Sequence, residues 1–174
     1  NVCNINPIKG LELFIDTASL FNNENIIFEI IGPVYKSQSR YFSKLLRRVN
    51  ALNAKNVVFS GPTSNVSEKL RNADIYFCSS HNEASPVAVW EAMANGLPVL
   101  STDVGDMKEL HQKYSCVALN SDRNPESCKK QILDLKLQIK KRIVLERNAF
   151  RFLKLHRTVK VIARKTLLFY GKCI

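Results

Sequence analysis

The 174-residue sequence has no C-x-x-C pair, no G-x-G-x-x-G run and no apolar stretch near the roughly 18 residues that a membrane-spanning helix needs. Each absence removes a class of protein. The five cysteines, Cys3, Cys78, Cys116, Cys128 and Cys173, are odd in number, and Cys78 and Cys116 sit in apolar, strand-like runs. They read as reduced cytosolic thiols rather than as a disulfide framework or a zinc site. The missing glycine fingerprint argues against a nicotinamide cofactor. Of the three histidines, His111 and His156 have no partner at ligand spacing and His81 reads as a surface-loop residue, so no metal is expected. The N-terminal Asn1, Val2, Cys3 and Asn4 have neither the charge nor the apolar core of a signal peptide. They read as the inside of a strand, and the sequence is therefore expected to be a piece of something longer. Repeats and low-complexity segments are also missing.

Acidic residues are scarce in the last third, and only there. Residues 1–122 hold 11 Lys and Arg against 12 Asp and Glu, whereas residues 123–174 hold 15 against 3 and so carry the whole formal excess of +11. Such a basic segment suits a solvated helical surface or an anionic membrane surface; nucleic acid is not expected, because no recognised binding motif accompanies the charge. With 45% hydrophobic residues, the chain is long enough to bury about two thirds of its unfolded surface in one core. One domain, 1–174, is expected, with a core over 1–122 and basic helices over 123–174.

Apolar periodicity alternates between strand and helix. Strands are expected at 2–5, 26–31, 56–60, 74–79, 98–102 and 116–119. Helices fall between them: one from Lys9 to about Asn22, then 41–53, 64–72 with Ser64 or Asn65 as its cap to Glu68, 87–95 and 105–111. Beyond Pro125, Ile132, Leu135, Ile139 and Ile143 read as one helical stripe, and Phe152, Val159, Ile162 and Leu167 as part of another. Regular alternation implies a parallel sheet of about six strands covered on both faces, a Rossmann-like three-layer α/β/α domain. Such sheets bind ligands at the carboxyl ends of their strands, where Lys9, Gly32, Gly61, Glu83 and Gly105 all fall.

One stretch concentrates the chemistry. Residues 78–109, CSSHNEASPVAVWEAMANGLPVLSTDVGDMKE, place Glu83 before a helix and Glu91 within it. Pro86 suits the first turn, where its missing N–H costs nothing. The free amides of Ala84, Ser85 and Val87, at the positive end of that helix, suit a phosphate or carboxylate. Two carboxylates beside an anion site fit a ligand that carries phosphate and hydroxyls, and sugar nucleotides carry both.

The run EASPVAVWEAMANGLPVLSTDVG resembles the E-x7-E signature of the group 1 (family 4) glycosyltransferases, retaining two-domain GT-B enzymes. The resemblance implies that the chain is the C-terminal, donor-binding half of a GT-B fold. An N-terminal acceptor domain is then expected elsewhere, and this half alone is expected to be inactive. It implies a hexosyl transfer from a UDP-sugar or GDP-sugar to a glycan or lipid-linked acceptor, with retention, no metal and no cofactor. It implies roles as well: Lys9, matching the family's K-G, on the diphosphate; Glu83 on the transferred sugar; Ala84, Ser85 and Val87 amides on the distal phosphate; Glu91 on the ribose. The backbone at Gly61 and Pro62 would read the base. Asn4 or Ile5 stands where the family often has an arginine, so Asn4 brings a hydrogen bond but no charge. Ala84 and Ser85 replace the usual glycine and bulky residue. Cytoplasmic location, peripheral at a membrane, follows from the same likeness. The rival reading is a noncatalytic α/β module that binds an anionic partner through its basic helices.

Overall fold

The computed structural model describes residues 1–158 and 160–162. Five parallel strands alternate with helices: β1 (Phe28–Ile31), β2 (Val57–Gly61), β3 (Tyr76–Cys78), β4 (Val99–Thr102) and β5 (Ala118–Asn120). The helices are α1 (Leu11–Ser19), α2 (Ser39–Ala51), α3 (Val66–Arg71), α4 (Val87–Ala94), α5 (Met107–Gln112), α6 (Pro125–Leu137) and α7 (Ile139–His156).

The strands form two ladders, β1-β2 and β3-β4-β5, all parallel. Between the ladders runs the N-terminal segment expected as a first strand. It contributes one parallel bridge, Val2 to Ile31, and its backbone follows β1: Cys3 N–H donates to Ile31 and Ile5 N–H to Pro33. Towards β3 its contacts are made by side chains, Asn1 Nδ2 to Ser79 Oγ at 3.3 Å and Val2 N–H to Tyr76 Oη at 3.4 Å. The Rossmann-like α/β architecture expected from the alternation is therefore present, with five strands and this bridging segment.

Two apolar clusters lie on the two faces of the sheet, as a three-layer fold requires. In the first, Leu11, Phe14, Ile15 and Ala18 of α1 recur at spacings of three and four and bury against β1 and α6. Phe14 is its centre, edge-on to Phe28 at 5.3 Å and stacked on Phe77 at 5.4 Å between ring centroids. In the second, Val89 and Met93 of α4, Met107 and Leu110 of α5 and Phe152 of α7 cover the other face.

The basic α2 fully buries only Tyr41 and Leu45, packs Phe42 edge-on against Phe59 of β2, and makes polar contacts to α1. Arg48 grips both carboxylate oxygens of Asp16 at 2.5 and 2.6 Å, and Tyr41 Oη donates to Glu12 at 2.7 Å. Burial works to raise the Glu12 carboxyl, but the bonds from Tyr41 and Lys44 outweigh it and leave its pKa below the usual value. Burial pushes the thiols of Cys116 and Cys128 up to about 11, so both stay neutral near pH 7. Cys173 lies outside the described residues.

Several boundaries differ from the sequence reading for identifiable reasons. Helix α3 is capped by Asn65, whose Oδ1 accepts from Glu68 N–H at 3.1 Å. Pro86 is the N-cap of α4 and Val87 its first helical residue. The stripe Ile132, Leu135, Ile139 and Ile143 is corrected: Gln138 breaks the helix, so Ile132 and Leu135 are buried on α6 while Ile139 and Ile143 begin α7 on its exposed side. In the second stripe Phe152 is buried and Ile162 is 47% exposed; Val159 and Leu167 lie outside the described residues. Among the described residues no helix is long and apolar enough to cross a membrane.

Phe14→Ala would empty the aromatic centre of the first cluster without touching the strand ends. We expect a loss of about 3–5 kcal/mol of stability, read as a lower urea midpoint with unchanged slope.

Candidate functional site

The site is built at the carboxyl ends of the strands from two short turns that meet. Asn6 caps a single 3-10 turn, Pro7–Lys9, by accepting from Ile8 N–H at 3.0 Å, and Gly10 then turns the chain into α1 with φ of 56°. Only glycine fits there: a Cβ on Gly10 would lie 2.3 Å from the carbonyl oxygen of Ser79 and 2.9 Å from Arg123 Nη2. Lys9 accordingly stands just before α1 rather than within its first turn.

The turn is fastened to the loop after β3. His81 N–H donates to Ile8 at 2.7 Å, Ser79 Oγ donates to the Lys9 carbonyl at 2.9 Å, and Lys9 Nζ meets Glu83 Oε1 at 2.7 Å. Ser80 Oγ donates to the same carboxylate oxygen at 2.8 Å. With side-chain exposures of 23% and 16%, Lys9 and Glu83 form a part-buried pair, and this charge-assisted contact joins segments 74 residues apart. Behind the loop, Gly105 comes so close that a Cβ would sit 3.1 Å from the carbonyl oxygens of both Glu83 and Ala84, and its φ is 51°.

From Glu83 the chain runs straight into α4, which has no side-chain cap. Among the described residues the amides of Ala84, Ser85 and Val87 make no hydrogen bond, so they remain free donors at the positive end of a helix. Ala84, Ser85, Val87 and Glu91 are all exposed. Val87 and Glu91, one turn apart, share a face of α4, so Glu91 stands about 6 Å further along the axis than the free amides.

Ser85 is steadied by Trp90, whose Nε1–H donates to its Oγ at 3.1 Å. The Arg157 guanidinium lies 4.5 Å from the Trp90 ring and is paired with Asp106, which ties the start of α4 to the end of α7.

The other residues expected at the site lie along the same rim. Asn4 is exposed, and its carbonyl accepts from Asn6 Nδ2 at 3.2 Å. Gly61 ends β2 with φ of 70°, its carbonyl taking the Gly32 N–H at 2.9 Å, and Pro62 beside it is exposed. The structure thus joins Lys9 and Glu83 in direct contact and sets the free amides and Glu91 after them, whereas Gly61 and Pro62 belong to the other ladder. His81 is exposed. Ser79, Ser80, Trp90 and Arg123 escape a reading of the sequence. Nothing local marks a serine that supports a neighbour's carboxylate, and Arg123 comes from the far side of β5.

The rim is open. A cavity of about 750 Å³ lies elsewhere, lined by Asn1, Val2, Phe28, Glu29 and Tyr76 among others, and one of about 380 Å³ lies between α5 and the end of α7. Neither contains Lys9, Glu83 or Glu91.

Lys9, Glu83, Glu91 and the uncapped N-terminus of α4 thus gather at the strand ends of a Rossmann-like α/β domain, the edge at which parallel sheets bind ligands. The chain belongs to the glycosyl transferases group 1 family, whose model matches residues 1–152. In three dimensions it is similar to HepE of Anabaena, solved in complex with UDP-glucose, with TM-score 0.89 and 18% identity over 98% of this chain and 47% of that one. It is similar also to the C-terminal domain of LpcC, a group 1 family protein of Francisella tularensis, with TM-score 0.78 and 19% identity over 91% of this chain and 85% of that one. The fold is therefore that of a GT-B C-terminal domain. In sequence it is 31% identical over 105 residues to the lipopolysaccharide core biosynthesis mannosyltransferase LpsB of Rhizobium meliloti (strain 1021), over 59% of this chain and 30% of LpsB. The chain spans less than half the length of HepE and under a third of LpsB.

Gly105→Ala adds a Cβ against two loop carbonyls at a left-handed φ. We expect a loss of about 1–3 kcal/mol, measured as a lower midpoint in thermal or urea unfolding.

Proposed function

We propose that this chain is the donor-binding half of a retaining hexosyltransferase that uses a UDP-sugar or GDP-sugar and serves glycan or lipid-linked acceptors. The observation that carries the reading is the Lys9–Glu83 pair set at 2.7 Å immediately before the uncapped N-terminus of α4. The bridge holds a cation, a carboxylate and free amides together before any ligand arrives. The likeness to HepE, solved with UDP-glucose, and to LpsB, a mannosyltransferase, favours a nucleotide-sugar donor.

In this reading the amides of Ala84, Ser85 and Val87 take the distal phosphate and Lys9 spans the diphosphate. A diphosphate carries more charge than one carboxylate, so it draws Lys9 Nζ from Glu83, whose oxygens are then free to accept from sugar hydroxyls. Glu91, one turn further, accepts from the two ribose hydroxyls. Gly61 and Pro62 read the base, and Asn4 adds a neutral hydrogen bond beside the diphosphate. As the bond from sugar to phosphate breaks, charge grows on the leaving diphosphate, and Lys9 with the α4 dipole stabilises it. No resident metal or cofactor is assigned a role.

The acceptor site belongs to an N-terminal half, as in other GT-B enzymes, so the 174-residue chain alone binds donor without turning it over. A cytoplasmic enzyme at the membrane periphery fits a part in lipopolysaccharide or polysaccharide synthesis. The rival, a noncatalytic module that binds an anionic partner through α6 and α7, rests on the exposed cations of those helices. It gives no account of why Lys9 and Glu83 are held together.

Titration calorimetry with UDP, UDP-hexoses and GDP-mannose tests the proposal. Saturable binding is expected, weakened roughly 10- to 100-fold by Lys9→Ala and about 10-fold by Glu91→Ala, since each removes a charge-assisted contact. No saturable binding by the unmodified chain, or binding indifferent to Glu91→Ala, would contradict it.

A further inference from the structure

Arg123 lies between β5 and α6, in a turn that fixes it from both sides. Asp122 accepts from Asn124 N–H at 3.1 Å, and Asn124 Oδ1 caps α6 by accepting from Glu126 N–H at 2.8 Å. Within that turn Arg123 holds a φ of 53°, which an arginine seldom adopts. The conformation aims its side chain under the Lys9–Gly10 turn, where Nη2 limits the space at Gly10.

There the guanidinium fork holds two successive peptide groups. Nη1 donates to the Ser80 carbonyl at 2.7 Å and Nη2 to the Ser79 carbonyl at 3.0 Å. Both serines are buried, at 0% and 2% exposure, just beyond the last ladder residue of β3, so their carbonyls need a donor from outside the sheet. Thr102 Oγ1 supplies a second bond to Ser80 at 2.7 Å. The hydroxyls of the same two serines reach the ion pair: Ser79 Oγ holds the Lys9 backbone and Ser80 Oγ holds the Glu83 carboxylate. One planar group thus fixes the backbone of both residues on which the ion pair is mounted. Among the described residues Arg123 makes no ion pair, and its guanidinium is given to these two carbonyls.

We propose that Arg123 is the positioning residue of the donor site, setting Lys9 and Glu83 through the backbone of Ser79 and Ser80. The proposal rests on the donor-binding reading above.

Arg123→Gly keeps the left-handed backbone and removes the fork, whereas Arg123→Lys keeps the charge. Two readouts separate clamp from ligand. The first is the acylation rate of the Lys9 amine, followed by peptide mass spectrometry, with Lys44, 60% exposed, as internal standard. It should rise several-fold in Arg123→Gly and less in Arg123→Lys, with Lys44 unchanged. The second is UDP affinity, expected to fall about 10-fold in Arg123→Gly, to recover in part in Arg123→Lys, and to fall less than about 2-fold further when Arg123→Gly is added to Lys9→Ala. A merely structural arginine would give additive losses and an unchanged Lys9 rate at equal unfolding midpoint. Either result overturns the proposal. Failure of the unmodified chain to bind UDP counts against the donor reading; the clamp itself is judged by the Lys9 rate.

Discussion

The contact between Lys9 and Glu83 is the constraint on which the site depends. A part-buried ammonium or carboxylate without a partner is unfavourable, and the two offset each other only if two loops 74 residues apart arrive together. The backbone satisfies that condition: serines after β3 hold one partner by its carbonyl and the other by its carboxylate, and Gly10 and Gly105 allow neighbouring chain to approach. Without these supports the pair would be an ordinary surface salt bridge, worth little. With them it is a built feature at the ligand-binding edge of a parallel sheet.

The pair sets up a gradient of character along one rim. Charge is concentrated at Lys9, Glu83 and the start of α4, while the second ladder contributes only backbone at Gly61 and the neutral Pro62. A ligand with a strongly anionic middle and uncharged ends matches that distribution, and a nucleotide diphosphate sugar has such a form. The α7 helix supports this arrangement from behind, through Arg157 on Trp90 and Trp90 on Ser85. The basic C-terminal segment is thus partly structural, and its charge does not by itself require an anionic partner.

Much of the site is legible in the sequence because its signals are local. Glu83, Pro86 and Glu91 fall within nine residues, and Lys9-Gly10 is a dipeptide, so a local motif and the family resemblance it supports bring them forward together. Alternating periodicity likewise gives the α/β class and, within two residues at most ends, the strands after the first. The misses have a common cause in distance. Arg123 acts 43 residues from Ser80 and Trp90 stacks with Phe152, contacts that no pattern along the chain encodes. The stripe across Ile132 and Ile143 fails for another reason: Gln138 has no helix-breaking side chain, yet its backbone, with φ of −94° and ψ of 79°, ends α6 there.

In the proposed reading, anions bind at the α4 rim and not on the basic helices. Mapping backbone amide shifts by NMR while adding UDP to the 174-residue chain tests it most directly. Saturable shifts are expected at Lys9, Gly10 and the amides of Glu83, Ala84, Ser85 and Val87, with α6 and α7 unaffected. Shifts spread along α6 and α7, or none at the α4 rim at saturating UDP, would contradict it.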